Sequence, residues 1–303
     1  MKDTLSTLMT ESRNERTRNI DNLSTREILL LMNEEDHSVP VAISYILPQI
    51  EISIEIIFEA LKKGGRLIYI GAGTSGRLGV LDAVECPPTF RTDPEVIKGI
   101  IAGGYDAIFQ AVEGAEDDAD RGAGDLKKEQ ITSNDVVVGI AASGRTPYVL
   151  GAINYANSCG ANTVGLTCNH NSELSYLCDV SLDVPVGPEV IAGSTRLKAA
   201  SAHKMILNML TTVSMVKLGK VYENLMVDMN VSNEKLKGRA INIIKTLTNA
   251  AHEESVFILE ETDYDVKKGL VMILGKVTRS QAERLLEKTD GKVRAAIELS
   301  KYE

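Results

Sequence analysis

Two rhythms of apolar residues alternate along most of this chain. Five short runs carry them on nearly consecutive positions and are rich in Val and Ile: Arg66 to Ile70, Val96 to Ala102, Asp135 to Ile140, Thr163 to Thr167 and Val180 to Val184. Near-continuous apolarity over so few residues marks strands buried on both faces. After each run comes a helical stretch: Arg77 to Glu85, Asp106 to Arg121, Pro147 to Ser158, a short one at Ser172 to Leu177, and Thr195 to Leu218. Strand and helix in alternation predict an α/β fold with a five-stranded, parallel, doubly wound sheet. Ligands bind such sheets outside the carboxyl ends of the strands, so chemistry belongs in the loops that follow them.

The flanks read differently. Residues 1 to about 24 are polar and predict an irregular arm. Ser24, with Glu27 three residues on, has the form of a capping box that starts a helix. Leu29, Leu30 and Met32, then Val39 to Lys62, predict two helices interrupted near Pro40, with a kink or break at Pro48. Ile43, Ile46, Leu47, Ile50, Ile54, Ile57 and Leu61 in the second keep helical spacing. Beyond about residue 235 the strand rhythm disappears, and three helices are predicted near 238–250, 263–275 and 279–300. The expected organisation is an N-terminal arm with helices (1–55), a sheet domain (56–222) and a small helical C-terminal domain (235–303).

Composition narrows the function more than the fold. The hydrophobic fraction of 44% and charged fraction of 25% are ordinary for a globular protein. A net charge of -9 argues against nucleic acid as a partner, because a phosphate backbone needs a basic face. The start, MKDTLSTLMTESRNERTRN, has no apolar core of a signal segment, and no apolar run reaches the roughly 18 residues of a spanning helix. No membrane association is expected. Cys86, Cys159, Cys168 and Cys178 lack CxxC spacing, so reduced thiols and a cytoplasmic location are the simplest expectation. His37, His170, His203 and His252 are scattered, and no metal site is predicted.

Three loops carry candidate chemistry. The first, Gly71-Ala72-Gly73-Thr74-Ser75-Gly76-Arg77, follows the first strand: its glycines let backbone approach a ligand, and Thr74 and Ser75 add hydroxyls at a helix start. It has the form G-x-G-x-x-G, but the second strand ends Ile100-Ile101-Ala102-Gly103-Gly104, without the carboxylate that would hold a ribose. No nucleotide, and no other cofactor, is expected. The second loop, Ala141-Ala142-Ser143-Gly144-Arg145-Thr146-Pro147, has the makings of a phosphate cradle. The third, from Pro188-Glu189 through Gly193-Ser194-Thr195 to Lys198, leads into the long apolar helix. Ser194 or Thr195 could cap that helix, and Lys198 is oddly placed for the helix dipole, which either a nearby anionic ligand or a solvated side chain would account for. His203 and the Met and Leu stripe from Met205 to Met215 read as core or subunit interface.

Together these loops resemble the sugar isomerase (SIS) domain, a five-stranded parallel module that binds phosphosugars. Glu85-Cys86-Pro87-Pro88-Thr89-Phe90 and Ala111-Val112-Glu113-Gly114-Ala115-Glu116-Asp117 resemble more narrowly the N-acetylmuramic acid 6-phosphate etherase family, as do Thr10-Glu11-Ser12-Arg13-Asn14, Asn33-Glu34-Glu35-Asp36 and Asn224-Leu225-Met226-Val227-Asp228. The resemblance spans nearly the whole chain. It implies a lyase that removes D-lactate from the C3 ether of the sugar, by elimination across C2 and C3 and then addition of water. It places the two family carboxylates on Glu85, to protonate the departing oxygen, and on Glu116, to take the C2 proton and later activate water. Spacing alone leaves Glu113 as eligible as Glu116. A partly buried Glu85, with its pKa raised, would suit the acid role. Gly73, Thr74, Ser75, Gly76, Ser143, Gly144, Arg145, Thr146, Glu189, Ser194, Thr195 and Lys198 are the expected substrate-binding residues, with the phosphate at Ser143, Gly144 and Thr146 and close to Thr74 and Ser75. Two other readings stand beside this one: an aldose–ketose isomerase with Glu189 as base, and a phosphosugar-sensing regulator. A homodimer is expected, since SIS proteins commonly pair and the helix Thr195 to Leu218 offers an apolar surface.

Overall fold

The computed structural model describes residues 9–229, 231 and 233–302, so the first eight residues of the expected arm lie outside the described part. Two compact units emerge. One comprises the chain up to Val84 together with Pro94–Thr211; the other comprises Glu85–Asp93 and Thr212 onward.

In the first unit three 3-10 turns (Met9–Glu11, Glu15–Thr17, Ile20–Asn22) lead to α1 (Thr25–Asp36), α2 (Ser38–Ser44) and α3 (Leu47–Lys62). The Ser24–Glu27 capping box is present at the start of α1. The break expected near Pro40 falls instead at His37, because Pro40 sits in the first turn of α2, where no helical N–H is lost. The break expected at Pro48 is present: α2 ends at Ser44, and Pro48 lies in the first turn of α3, which it opens.

The sheet follows: β1 (Leu67–Gly71), α4 (Gly73–Phe90), β2 (Ile97–Ile101), α5 (Asp106–Phe109), α6 (Ala119–Lys128), β3 (Val136–Ile140), α7 (Pro147–Ser158), β4 (Asn162–Thr167), α8 (Glu173–Leu177), β5 (Val180–Asp183) and α9 (Lys198–Lys217). All five strands are parallel, in the order β2-β1-β3-β4-β5. Helices cover both faces. Ile68, Ile70 and Val137 pack with Leu126 of α6 and Tyr148, Val149 and Ile153 of α7. Tyr69 turns the other way and donates its hydroxyl to Asp82 of α4 at 3.0 Å. Asn208 and Thr211 of α9 also donate to Asp82, so the buried carboxylate ties α4 to α9. The residues of α9 in this unit are core: Ala199, Ala202, His203, Ile206, Leu207 and Leu210 are fully buried. Much of the apolar surface expected on α9 is therefore used inside the chain, while Val213 and Val216 of the same helix stay exposed. Exposed apolar side chains also stand on the N-terminal helices, at Leu29, Leu30, Val41, Tyr45 and Ile52.

The one helix expected over Asp106 to Arg121 is broken. α5 stops at Phe109, Gly114 turns the chain with φ of 72°, and a 3-10 turn (Ala115–Asp117) precedes α6. In the second unit a short hairpin, β6 (Val221–Tyr222) and β7 (Leu225–Met226), precedes five helices: α10 (Glu234–Thr248), α11 (His252–Glu261), α12 (Val266–Gly275), α13 (Arg279–Lys288) and α14 (Val293–Leu299). The three helices expected there are five, because Asn249 and Lys276 end α10 and α12 in left-handed conformations and Asp290-Gly291, both at positive φ, separate α13 from α14. Their core is built on Ile244, Leu259, Leu270, Leu285 and Ala296. Among the described residues, no single helix is long and apolar enough to cross a membrane.

Candidate active site

The strand order decides where to look. From β1 the chain crosses to β2 on one side and to β3, β4 and β5 on the other, so the carboxyl ends of β1 and β3 flank a switch point where the connections diverge. A cleft of about 440 Å³ lies there in the first unit. The loop after β1 contributes Gly73, Thr74 and Ser75, and the loop after β3 contributes Ser143, Arg145 and Thr146.

Both loops end in helix starts, where amides without intrahelical partners favour an anion. Gly73 opens α4 directly, with φ of +53° and open space where a Cβ would stand. α7 opens with Pro147 at its first turn; Thr146, at the N-cap, makes no capping hydrogen bond with its side chain. Its hydroxyl is thereby available to a ligand. Ser143 Oγ accepts from the Arg145 amide at 3.2 Å and stiffens the second loop. Ser75 Oγ lies 3.4 Å from Nδ1 of His203, whose Nε2 lies 3.5 Å from Cys168 Sγ. Burial pushes His203 down to about 4 and pushes the Cys168 thiol up, so both stay neutral near pH 7. His203 is thus a core histidine, as expected, and stands directly behind the cleft residue Ser75.

Glu116 lines the cleft, together with its neighbour Asp117. Arg77 holds the segment leading to it, donating to the carbonyls of Ile108 and Gln110, both at 3.1 Å. Glu113, equally eligible by spacing, lines an adjoining hollow beside Gly114 and Ala115 and does not line the cleft itself. Glu85 belongs to the second unit. It is exposed, so the partial burial expected of it is absent in the single chain. There it lines a groove with Pro87, Pro88, Thr89, Arg91 and Arg239.

The third loop behaves unlike the other two. Thr195 and Gly193 line the cleft, but Ser194, Glu189 and Lys198 do not. Glu189 is 1% exposed, and its two oxygens accept the amides of Lys198 and Ala199 at 3.0 and 2.9 Å, closing the first turn of α9. Burial raises its pKa, and the two amides offset part of that rise. Lys198 is 2% exposed, with Nζ 2.7 Å from Oε2 of Glu35. Lys198 is thus not solvated, and the anion beside it is a residue of the chain in place of a ligand. Neither side chain faces the cleft, which also removes the base an isomerase reading had assigned to Glu189. Gly76 and Gly144 serve the backbone. A Cβ at Gly76 would stand 2.7 Å from the Gly71 carbonyl oxygen, and one at Gly144 2.2 Å from Ser172 Oγ.

Three cleft residues with polar side chains escaped sequence reasoning in any functional role: Asp117, and Thr10 and Glu11 from the N-terminal arm. Their only signal was membership of a family-like stretch. No cluster of His, Cys, Asp and Glu suited to a metal occurs among the described residues.

Comparison with known proteins fits this architecture. The glucokinase regulatory protein N-terminal SIS domain family matches residues 49–157, and the SIS domain family matches residues 119–213. The chain is 54% identical over 295 residues to N-acetylmuramic acid 6-phosphate etherase 1 of Bacillus licheniformis, covering 97% of each chain. It is 54% identical over 291 residues to N-acetylmuramic acid 6-phosphate etherase of Bacillus subtilis, covering 96% of each, and 52% identical over 296 residues to that of Caldanaerobacter subterraneus, covering 98% of this chain and 97% of the relative. Among solved structures, a phosphoheptose isomerase from Francisella tularensis superposes with a TM-score of 0.49 at 15% identity, over 64% of this chain and all of that one.

Proposed function

We infer the chemistry of this chain from its family: it belongs to the N-acetylmuramic acid 6-phosphate etherases. It is an enzyme that cleaves the D-lactyl ether of N-acetylmuramic acid 6-phosphate, releasing D-lactate and N-acetylglucosamine 6-phosphate, a step of cell-wall amino sugar catabolism. The observation that carries this reading is the cleft at the sheet's switch point. There two helix starts and the uncommitted Thr74 and Thr146 hydroxyls can receive a phosphate, beside the carboxylate of Glu116.

The C2 proton is acidic only beside a C1 aldehyde, so the pyranose opens first. Glu116 takes the C2 proton, the electrons form a C2–C3 double bond, and the C3–O bond breaks. The departing lactate oxygen takes a proton from Glu85. Glu116 passes the C2 proton to solvent and is ionised again; water then adds at C3, giving one proton to Glu116, C2 takes one from solvent, and the ring closes. Neither step consumes an oxidant or a reductant. Glu85 must begin protonated and Glu116 ionised, so two different surroundings are required. General acid or base help is worth roughly 10² to 10⁴-fold per group. The exposed apolar residues of α1 to α3 support pairing as a homodimer. Four cysteines free of disulfides suit a reducing, cytoplasmic location.

The test is D-lactate release from N-acetylmuramic acid 6-phosphate, without added metal, in ¹⁸O-labelled water. Wild type should release lactate and carry the label at C3 of the sugar. Glu116→Gln should lose about 10² to 10⁴-fold in rate. Folded wild type that binds the phosphosugar but releases no lactate would refute the etherase reading.

A further inference from the structure

We propose that Glu11 is a substrate-contacting residue that sets specificity, its carboxylate accepting a hydrogen bond from a neutral O–H or N–H group of the sugar. The inference rests on the phosphosugar reading of the cleft and adds to it a residue from the N-terminal arm.

Glu11 is held in place from both sides. On one side, Thr10 is 2% exposed, and its carbonyl accepts the Gly193 amide at 3.2 Å. Asn169 clamps the same point: its Oδ1 accepts the Met9 amide at 2.9 Å, and its Nδ2 donates to Thr10 Oγ1 at 3.3 Å and to the Ala142 carbonyl at 2.9 Å. One buried amide side chain thereby fastens the arm to the loop after β3. On the other side, Asn14 is buried and donates to Glu35 Oε2 at 2.8 Å and to the Pro188 carbonyl at 3.3 Å. Thr17 Oγ1 donates to the Val190 carbonyl at 2.9 Å. These bonds lay the arm along the third loop.

Between the anchors, Glu11 lines the cleft, and its carboxylate has no hydrogen bond or ion pair among the described residues. Its neighbour Gly193, at φ of +76°, leaves room for it, since a Cβ there would stand 3.2 Å from Glu11 Oε2. An exposed carboxylate that lines a ligand cleft on an anchored stretch of backbone, without a protein donor, is available to accept from the ligand. It cannot serve the phosphate, which carries the same charge. The phosphate therefore goes to the hydroxyl loops, and Glu11 goes to the neutral donors of the sugar. This gives the cleft a polarity that neither loop alone supplies, and it gives Thr10 and Glu11 of the arm a place in the site.

The experiment compares two ligands by calorimetry: N-acetylglucosamine 6-phosphate and inorganic phosphate. Glu11→Gln should weaken the phosphosugar by roughly ten- to a hundredfold, the loss typical of a charge-assisted hydrogen bond. Inorganic phosphate should bind as before or more tightly, because a negative charge has gone. Glu11→Asp, which keeps the charge on a shorter arm, should fall between. Parallel weakening of both ligands would assign Glu11 a structural role and overturn the proposal, as would no change in either. Wild type that binds neither ligand would instead refute the phosphosugar reading itself.

Discussion

The loop after β3 and the segment after β5 read alike in the sequence, each mixing glycine, hydroxyls and charge before a helix, yet they fold to opposite ends. At α7, Thr146 stands at the N-cap without capping, so the helix start keeps its donors for a ligand. At α9, the Glu189 carboxylate takes the amides of Lys198 and Ala199, and Lys198 itself is paired with Glu35. An internal anion thus occupies at α9 the position that an external one can take at α7. Hydroxyls and helix starts are common; what marks a binding loop is that the chain has left its donors unused.

The largest effect that could break this comparison is at Lys198. Removing one partner of a buried ion pair leaves an uncompensated charge and costs about 3–5 kcal/mol. Lys198→Met should cost about 3 kcal/mol, the low end, because Asn14 and Arg16 still hold Glu35 at 2.8 and 2.9 Å. The double variant Glu35→Gln/Lys198→Met should recover much of the loss, since neither charge remains. Urea unfolding checks both. Should Lys198→Met keep full stability and lose only phosphosugar binding, the third loop would be a binding loop after all.

How far the sequence foretold these differences depends on what fixes each part. The sheet was legible because strands buried on both faces need unbroken apolar runs, and Val136 to Ile140 has no polar residue to confuse the pattern. The first two loops stood out because both follow strands of one sheet and lead directly into helix starts, although the third reads alike. The broken helix between Asp106 and Arg121 was not, since its end depends on Gly114 taking a positive φ. The fates of Glu189 and Lys198 were hidden because their partners are tertiary: Glu35 lies 163 positions away from Lys198. Glu11 was hidden for the same reason, its place being set by Asn169, 160 positions from Met9.

The glycines sharpen the comparison at a smaller scale. Gly144 and Gly73 both have positive φ, at +68° and +53°, so alanine at either incurs a left-handed strain of about 1–2 kcal/mol. Gly144→Ala also drives a methyl to within 2.2 Å of Ser172 Oγ and 2.8 Å of Thr167 Oγ1, so its total should reach about 3 kcal/mol. Gly73→Ala meets nothing within 4 Å and should cost only about 1 kcal/mol. Its methyl enters the cleft, however, so phosphosugar affinity should fall more than stability does. Thermal unfolding beside calorimetry separates the two. Equal stability losses would mean that the Gly144 backbone yields, and that its contact with Ser172 does not fix the second loop.

Acid should reveal the same division with the smallest effect. Burial alone would raise the pKa of Glu35; the hydrogen bond and charge of Lys198, with Asn14 and Arg16, outweigh it and hold Glu35 below the ordinary carboxylate value. A carboxyl whose folded pKa is depressed adds stability that is complete above its unfolded pKa, near 4.3, and is lost as pH falls through the folded value. Stability should therefore decline below about pH 4, and the part due to Glu35 should be absent from Glu35→Gln/Lys198→Met. Other depressed acids, such as Asp135 beside Arg66, titrate in both proteins and cancel in the difference. The loss is smaller than that of Lys198→Met because a protonated Glu35 still accepts hydrogen bonds, whereas methionine offers Glu35 no donor. Glu116 has no hydrogen bond or ion pair among the described residues, so Glu116→Gln should change stability at neutral pH by no more than about 0.5 kcal/mol, read by urea unfolding. A larger loss would mean that the cleft carboxylate is bound into the fold as Glu35 is, and the distinction between used and unused groups would fail at the residue that matters most.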